Sequence, residues 1–320
     1  MTAPVRHVWA ALLVVYVVWG STYLGIKVVV DTIPPLVAAG SRFLAAGLLL
    51  AAILAFRGTS LRVSPRELGA SAIAGGLLLG LGVGLVHVAE TRIDSSVAAM
   101  IAGTVPLQIV AMRLVAGDRP ARTTRVSTLF GLVGLALVVA PGLGSGSTAL
   151  GLAVMVSATM FWSVGSFLSR RLPLPRNPFV ATTYEMTLAG AFLLAGAAPL
   201  GEWRDLGADA VSPTSLLAWS YLVVVGSLVG FTAYAWLLRV APISLVVTHQ
   251  YVNPLVAIAL GVLVLAERPS PLALLGAAIV VSAVYVTVRA EGRSGTPLRT
   301  RKPVARARTG SRATPGLDRA

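Results

Sequence analysis

Ten apolar stretches, each about 20 residues long, follow one another along this chain: about 8–30, 35–56, 67–89, 95–116, 126–141, 148–169, 178–200, 214–238, 243–265 and 271–289. About 20 apolar residues in helical form cross the hydrocarbon core of a bilayer. The connections are mostly under about ten residues, so no soluble domain fits between the stretches. Only 12% of the 320 residues are charged, against about 25% in a soluble domain. The expected fold is all-α and integral to a membrane, with ten transmembrane helices. The first stretch is too long for a signal-peptide core and has no small-residue cleavage site, so it is expected to stay as a span.

The formal net charge of +14 would suggest a nucleic-acid partner in a soluble protein. Here the arginines sit in short loops and a tail, where they set orientation and meet lipid head groups, so nucleic acid is not expected as a partner. With the N-terminus inside, the inner loops carry Arg57, Arg62, Arg66, Arg119, Arg122, Arg125, Arg170, Arg171, Arg176 and Arg239. The outer loops carry Arg92, Arg204 and Arg268. Ten crossings therefore place both termini on the cytoplasmic side of the cell membrane. Residues 290–320 hold eight further cations and almost no large apolar side chain. Such a tail cannot bury enough surface to fold, and weak attraction to anionic lipid is its expected role.

The chain also overlaps with itself. A shift of 143 positions places Trp19 on Trp162, Pro35 on Pro178, Gly47 on Gly190, and Arg42 on Glu185. A shift of 148 places Gly82 on Gly230, Ser96 on Ser244 and Pro106 on Pro254. Two halves, 1–145 and 146–289, each carry five stretches. Five is odd, so the halves would insert upside down to one another, the arrangement of many secondary transporters with a site near the midplane.

At these residues the chain resembles a known family. Trp19-Gly-Ser-Thr-Tyr-Leu-Gly-Ile-Lys27, Pro34-Pro35 and Arg42-Phe43 are similar to the opening of EamA-type members of the drug/metabolite transporter superfamily. Trp236-Leu-Leu-Arg239, Tyr251-Val-Asn-Pro254 and Ala266-Glu-Arg268 are similar to the matching part of its second half. The resemblance covers about residues 8–289. It implies two inverted five-helix repeats that export small metabolites, amino acids or toxic compounds, often against a proton gradient. It also implies that stretches five and ten lie at the periphery while the other eight enclose the cavity. Gln108 and Arg113 depart from the pattern, being more polar than Val256 and Gly261 at the matching positions.

Several residues are candidates for solute binding. Tyr16, Trp19, Tyr23 and Lys27 recur at four- and three-residue spacing and so share one helix face, an aromatic stripe that ends in a cation. Arg42 and Glu185 approach the midplane from opposite sides, and the repeat makes them symmetry mates that could face each other as an ion pair. Trp162 is the mate of Trp19. His249 and Asn253 lie one turn apart before Pro254, which with Pro106 is expected to kink its helix. His87 and Glu90, three apart near the outer end of the third stretch, could form an outer gate but read first as an interfacial solvated pair. Gly76, Gly80 and Gly84, like Gly226 and Gly230, have the spacing that lets helices approach closely.

No catalytic motif, phosphate loop or metal-ligand spacing is found, and with no cysteine there is no disulfide or thiolate site. No cofactor is expected, and uphill transport would have to draw on an ion gradient, protons first among the candidates. The alternatives are a membrane-embedded enzyme acting on lipid head groups, or a passive channel or scramblase. Expected partners are a small-molecule solute and membrane lipid; oligomeric state is not legible.

Overall fold

The computed structural model describes residues 4–93, 95–118, 120–139, 148–206, 211–253, 255–256 and 271–293. Among them every regular element is a helix, with no strand. In chain order they are α1 Val5–Val30, α2 Pro35–Phe56, α3 Pro65–Glu90, α4 Ser95–Ala102, α5 Val105–Val115, α6 Arg122–Val139, α7 Ala149–Ser169, α8 Pro178–Ala197, α9 Pro213–Val240, α10 Ile243–Val246 and α11 Pro271–Arg293. Six of these, α1, α2, α3, α7, α8 and α9, are long and apolar enough to cross a membrane. Helices α6 and α11 fall on the fifth and tenth stretches, while the fourth and ninth depart from the even stretches expected. The fourth stretch breaks at Gly103–Thr104 into α4 and α5, with Pro106 in the first turn of α5. The ninth breaks at Val247–Thr248 before helix resumes at 249–253, and Pro254, Glu267 and Arg268 lie outside the described residues.

The starts are written locally. Ser64, Asn177 and Ser212 each precede a proline and accept a backbone N–H of the following helix, while Thr148 accepts from Gly151. A side-chain acceptor there satisfies donors that the helix cannot, and proline at the first position gives up no hydrogen bond. Glu67 returns the bond to the Ser64 N–H at 2.8 Å and closes a capping box. Helix α2 lacks a side-chain cap of its own; the Glu202 carboxylate, from far along the chain, accepts from the Leu36 and Val37 N–H groups at 2.8 and 3.0 Å.

Two long helices share an irregularity. Gly76–Val83 in α3 and Leu222–Phe231 in α9 wind as wide π-helical turns. Moving the first window on by 148 residues lands it at 224–231, inside the second. Wide turns inside an α-helix redirect carbonyls that would otherwise be internally bonded, and they are frequent at functional sites.

The helices pair as mates. The most extensive pairings are α2 with α8 and α6 with α11. In the first, a Cβ added to Gly190 would lie 2.5 Å from the Leu44 N, and one added to Gly47 would lie 2.8 Å from the Thr187 N. The shift of 143 that relates the two glycines also relates Leu44 to Thr187, so the same close approach is made twice. Gly84 and Gly80 give room to Leu193 and Phe192, while Gly76 faces open space. Helices α6 and α11 pack mainly on each other, joined by the Ser127–Thr287 hydroxyl pair at 2.8 Å, and touch the rest lightly. Outward faces carry exposed Leu13, Leu24, Leu48, Phe130, Leu217 and Leu275. A surface of this kind belongs in lipid, where apolar exposure costs nothing.

Candidate functional site

Halfway along α1 the chain builds a layer of rings. Trp19 meets Trp162 of α7 edge to face, centroids 5.3 Å apart, and lies 4.9 Å from Tyr234 of α9 and 5.0 Å from His249. Tyr234 closes the group at 5.1 Å from Trp162 and 5.4 Å from His249. Edge-to-face pairs at these separations add about 0.5–1.5 kcal/mol each beyond area burial. Two glycines make room for the indoles: a Cβ on Gly230 would sit 2.6 Å from Trp19 Nε1, and one on Gly82 would sit 3.3 Å from the Trp162 ring. The first glycine is in the second half and serves a tryptophan of the first; the second does the reverse. Trp19 Nε1–H donates to the Gly226 carbonyl at 3.1 Å, an acceptor that the wide turn of α9 presents.

On one side of this layer the core is solid. Leu12, Val15, Ile109, Leu237 and Val246 are buried together, and Tyr16 bonds Thr248 at 2.6 Å. On the other, toward Ile26 and Val86, lies a narrow cavity of about 70 Å³. Trp19, Tyr23, Arg42, Trp162, His249 and Asn253 all line it. Six of the eight residues anticipated for solute binding thus meet in one place, drawn from α1, α2, α7 and the helical segment 249–253 after α10.

Its walls are mostly apolar, and the polar atoms they hold are under-used. His249 Nδ1 lies 2.9 Å from the Val246 carbonyl, which can only accept, so Nδ1 carries the proton. Nε2 is then a bare lone pair, buried and without a partner. Asn253 Oδ1 and Trp162 Nε1 are also buried without a hydrogen bond, although the Tyr23 and Tyr234 hydroxyls lie near them. Buried polar atoms are normally satisfied. An acceptor, a donor and a free imidazole nitrogen around one cavity are therefore places for a solute's hydrogen bonds. Arg42 supplies the charge. It is 4% exposed, with Nε–H donating to Ser227 Oγ at 3.1 Å and Nη1–H to His87 Nε2 at 3.4 Å.

Two anticipated residues go elsewhere. Lys27 lies outside the cavity lining and donates to the Glu90 carbonyl at 2.8 Å. Glu185 lies in a second cavity beyond the sealed side, with Ser169, Arg170 and Arg239. Arg42 and Glu185 therefore do not form the ion pair anticipated: Arg42 is held by Ser227 and His87, and Glu185 faces Arg239. The solvated pair expected at His87 and Glu90 is corrected as well, since both are 0% exposed. Their end of α3 packs on α1, α2 and α7 and stays inside the bundle. Tyr234, Gln250, Thr22 and Phe43 were missed; Tyr234 gave a signal in sequence, two residues before the noted Trp236, but ring packing across four elements is not a spacing.

The profile of the EamA-like transporter family matches residues 7–140 and again residues 149–289. An Escherichia coli K12 protein named "Uncharacterized inner membrane transporter YedA" is 36% identical over 279 residues, 87% of this chain and 89% of that one. The E. coli K12 "Probable amino-acid metabolite efflux pump" is 25% identical over 87% of this chain and 93% of its own length. Among solved structures, a crystal structure superposes with a TM-score of 0.72 at 18% identity, covering 91% of this chain and 100% of the other.

Proposed function

Since the chain belongs to the EamA-like transporter family, we propose that it is a secondary transporter which exports small organic solutes across the cytoplasmic membrane by alternating access. The observation that carries this reading is the cavity at the ring layer, blind on one side, apolar in its walls and edged by the free His249 Nε2, Asn253 and Trp162 around one arginine. In this reading the chain makes ten crossings in two inverted halves with both termini cytoplasmic. Support comes from the two family matches, one in each half, and from the reciprocal contacts of Gly47 with Thr187 and Gly190 with Leu44. With that orientation the cavity opens outward, and the packed side around Leu12, Tyr16 and Leu237 is the inner seal. The ring layer and Arg42 suit a solute with an apolar or aromatic body and an anionic or zwitterionic head, a class that includes amino-acid metabolites. Without a nucleotide-binding motif, the driving force is a solute or proton gradient.

The narrow space at the ring layer fits a state in which one half must rock against the other before a solute can pass. Counterflow in proteoliposomes tests the reading: vesicles preloaded with one member of a panel of amino acids, aromatic acids and organic cations are given trace label outside. Saturable accumulation, lost in Trp19→Ala and Arg42→Gln, is the expected result. Label entry no faster than in empty vesicles across the panel, unsaturable flux, or conversion of lipid into product would overturn it.

A further inference from the structure

Glu90 is a buried carboxylate that the cavity does not use. It ends α3 at 0% exposure, and neither carboxylate oxygen has a hydrogen-bond partner. A carboxylate in that position must be balanced by a cation or carry a proton, because an isolated ion out of water costs several kcal/mol. The facing groups are few. Lys27 and Tyr23 come from α1, Arg42 from α2, and His87 lies one turn back on α3. Helices α4 and α7, which also pack on this end of α3, carry no titratable side chain. His87 donates from Nδ1 to the Val83 carbonyl at 2.9 Å, so its Nε2 is a neutral acceptor for Arg42. Lys27 is anchored on the Glu90 main chain. Tyr23 and Arg42 belong to both places, and of the two only Arg42 carries a charge: it faces Glu90 electrostatically and it lines the cavity, with Nη2 beside Gly226.

We propose that Glu90 is a proton site linked to the solute cavity through Arg42, so that an anionic solute group and one proton are taken up together. The inference rests on the reading of that cavity as the solute site. When a solute anion engages the guanidinium, Arg42 ceases to balance Glu90, and the carboxylate takes a proton from solvent on the open side. One negative and one positive charge are added, so the buried cluster of Lys27, Arg42 and Glu90 keeps its net charge. An acid would then cross as its neutral equivalent, and its export would follow the solute's own gradient, not the proton gradient. By linkage the coupling is reciprocal: protonation of Glu90 strengthens anion binding by the factor with which the anion strengthens protonation.

Benzenesulfonate is the probe, an aromatic anion whose charge is constant over the working range, so any pH dependence belongs to the protein. Calorimetric titration of the purified full chain in two buffers of different ionisation heat counts protons taken up per sulfonate bound. The expected result is uptake approaching one proton, with affinity rising up to about tenfold per unit fall in pH where the linked proton is taken up. Glu90→Gln should bind with no proton uptake and flat affinity, Glu90→Asp should keep the slope, and Arg42→Gln should lose binding at every pH. The wild-type proton count stands even if a variant fails to fold. Binding without proton uptake, a Glu90→Gln slope equal to that of wild type, or no sulfonate binding at any pH overturns the proposal. Saturable counterflow of another solute alongside any of these results leaves the transport reading intact while this one falls.

Discussion

Gly190→Ala tests how the two halves are held together. The added methyl would lie 2.5 Å from the Leu44 N and 2.8 Å from the Gly40 carbonyl oxygen, and both are backbone atoms that no rotamer change can move. Ordinary contact begins near 3.4 Å. The α2 and α8 backbones must therefore part by about 0.9 Å, and a radial gap of that size forfeits a quarter to a half of each dispersion contact beside it. Overpacking of this kind costs about 1–3 kcal/mol, and the upper end applies because α2–α8 is one of the two most extensive pairings. At roughly 2 °C per kcal/mol for a long chain, the transition should fall by about 6 °C. Gly196→Ala, on the same helix with nothing within 4 Å of the new methyl, is the control. There the gain in helix propensity, about 0.5–1 kcal/mol, should raise the transition by about 1–2 °C. Fluorescence-detected size exclusion after heating reads both. The double variant Gly47→Ala/Gly190→Ala should lose less than the sum of its parts, because one separation of the helices relieves both clashes. A Gly190→Ala protein that melts at or above Gly196→Ala would refute the close approach.

Gly230→Ala should push the Trp19 indole off the Gly226 carbonyl, removing a hydrogen bond worth about 1 kcal/mol and changing near-UV circular dichroism and solute affinity more than the melting temperature. His249→Phe keeps the ring packing on Trp19 and Tyr234 but deletes Nε2; the expected outcome in counterflow is a solute half-saturation raised about tenfold, with thermal stability within about 1 kcal/mol of wild type. At Glu202, partial burial outweighs its two backbone donors and holds the carboxyl above the usual carboxylate range. Its contribution to stability is therefore present at acid pH and lost as pH rises through the raised value. Glu202→Gln should flatten that part of a melting-temperature-against-pH curve while one amide oxygen keeps both bonds to α2, whereas Glu202→Ala should lose the cap and about 0.5–2 kcal/mol at every pH.

The cavity was largely legible one residue at a time and not at all as a place. Trp19, Tyr23, Arg42, Trp162, His249 and Asn253 each carried a signal: a ring or a charge at bilayer depth, or a polar group beside a proline. Arg42 and Glu185 show where such reasoning fails. Symmetry makes them mates, but it says nothing about which neighbour each side chain reaches, and Ser227, His87 and Arg239 took those places. His87 and Glu90 fail for another reason. Distance from a helix end measures depth along one axis only, and lateral packing by α1, α2 and α7 decided their burial.

By itself the sequence determined that the chain is helical and lives in lipid, because apolar length and charge placement act locally and need no partner to be read. Its glycine spacing also marked Gly80, Gly84, Gly226 and Gly230 as close-approach points, though Gly76, marked with them, faces open space. The tertiary structure alone decided that two tryptophans, a tyrosine and a histidine form one layer, that the fourth and ninth stretches break, and that the Glu90 carboxylate is buried without a hydrogen-bond partner at the end of α3. Those outcomes depend on contacts between residues far apart in the chain, whose energies exist only once the helices have met.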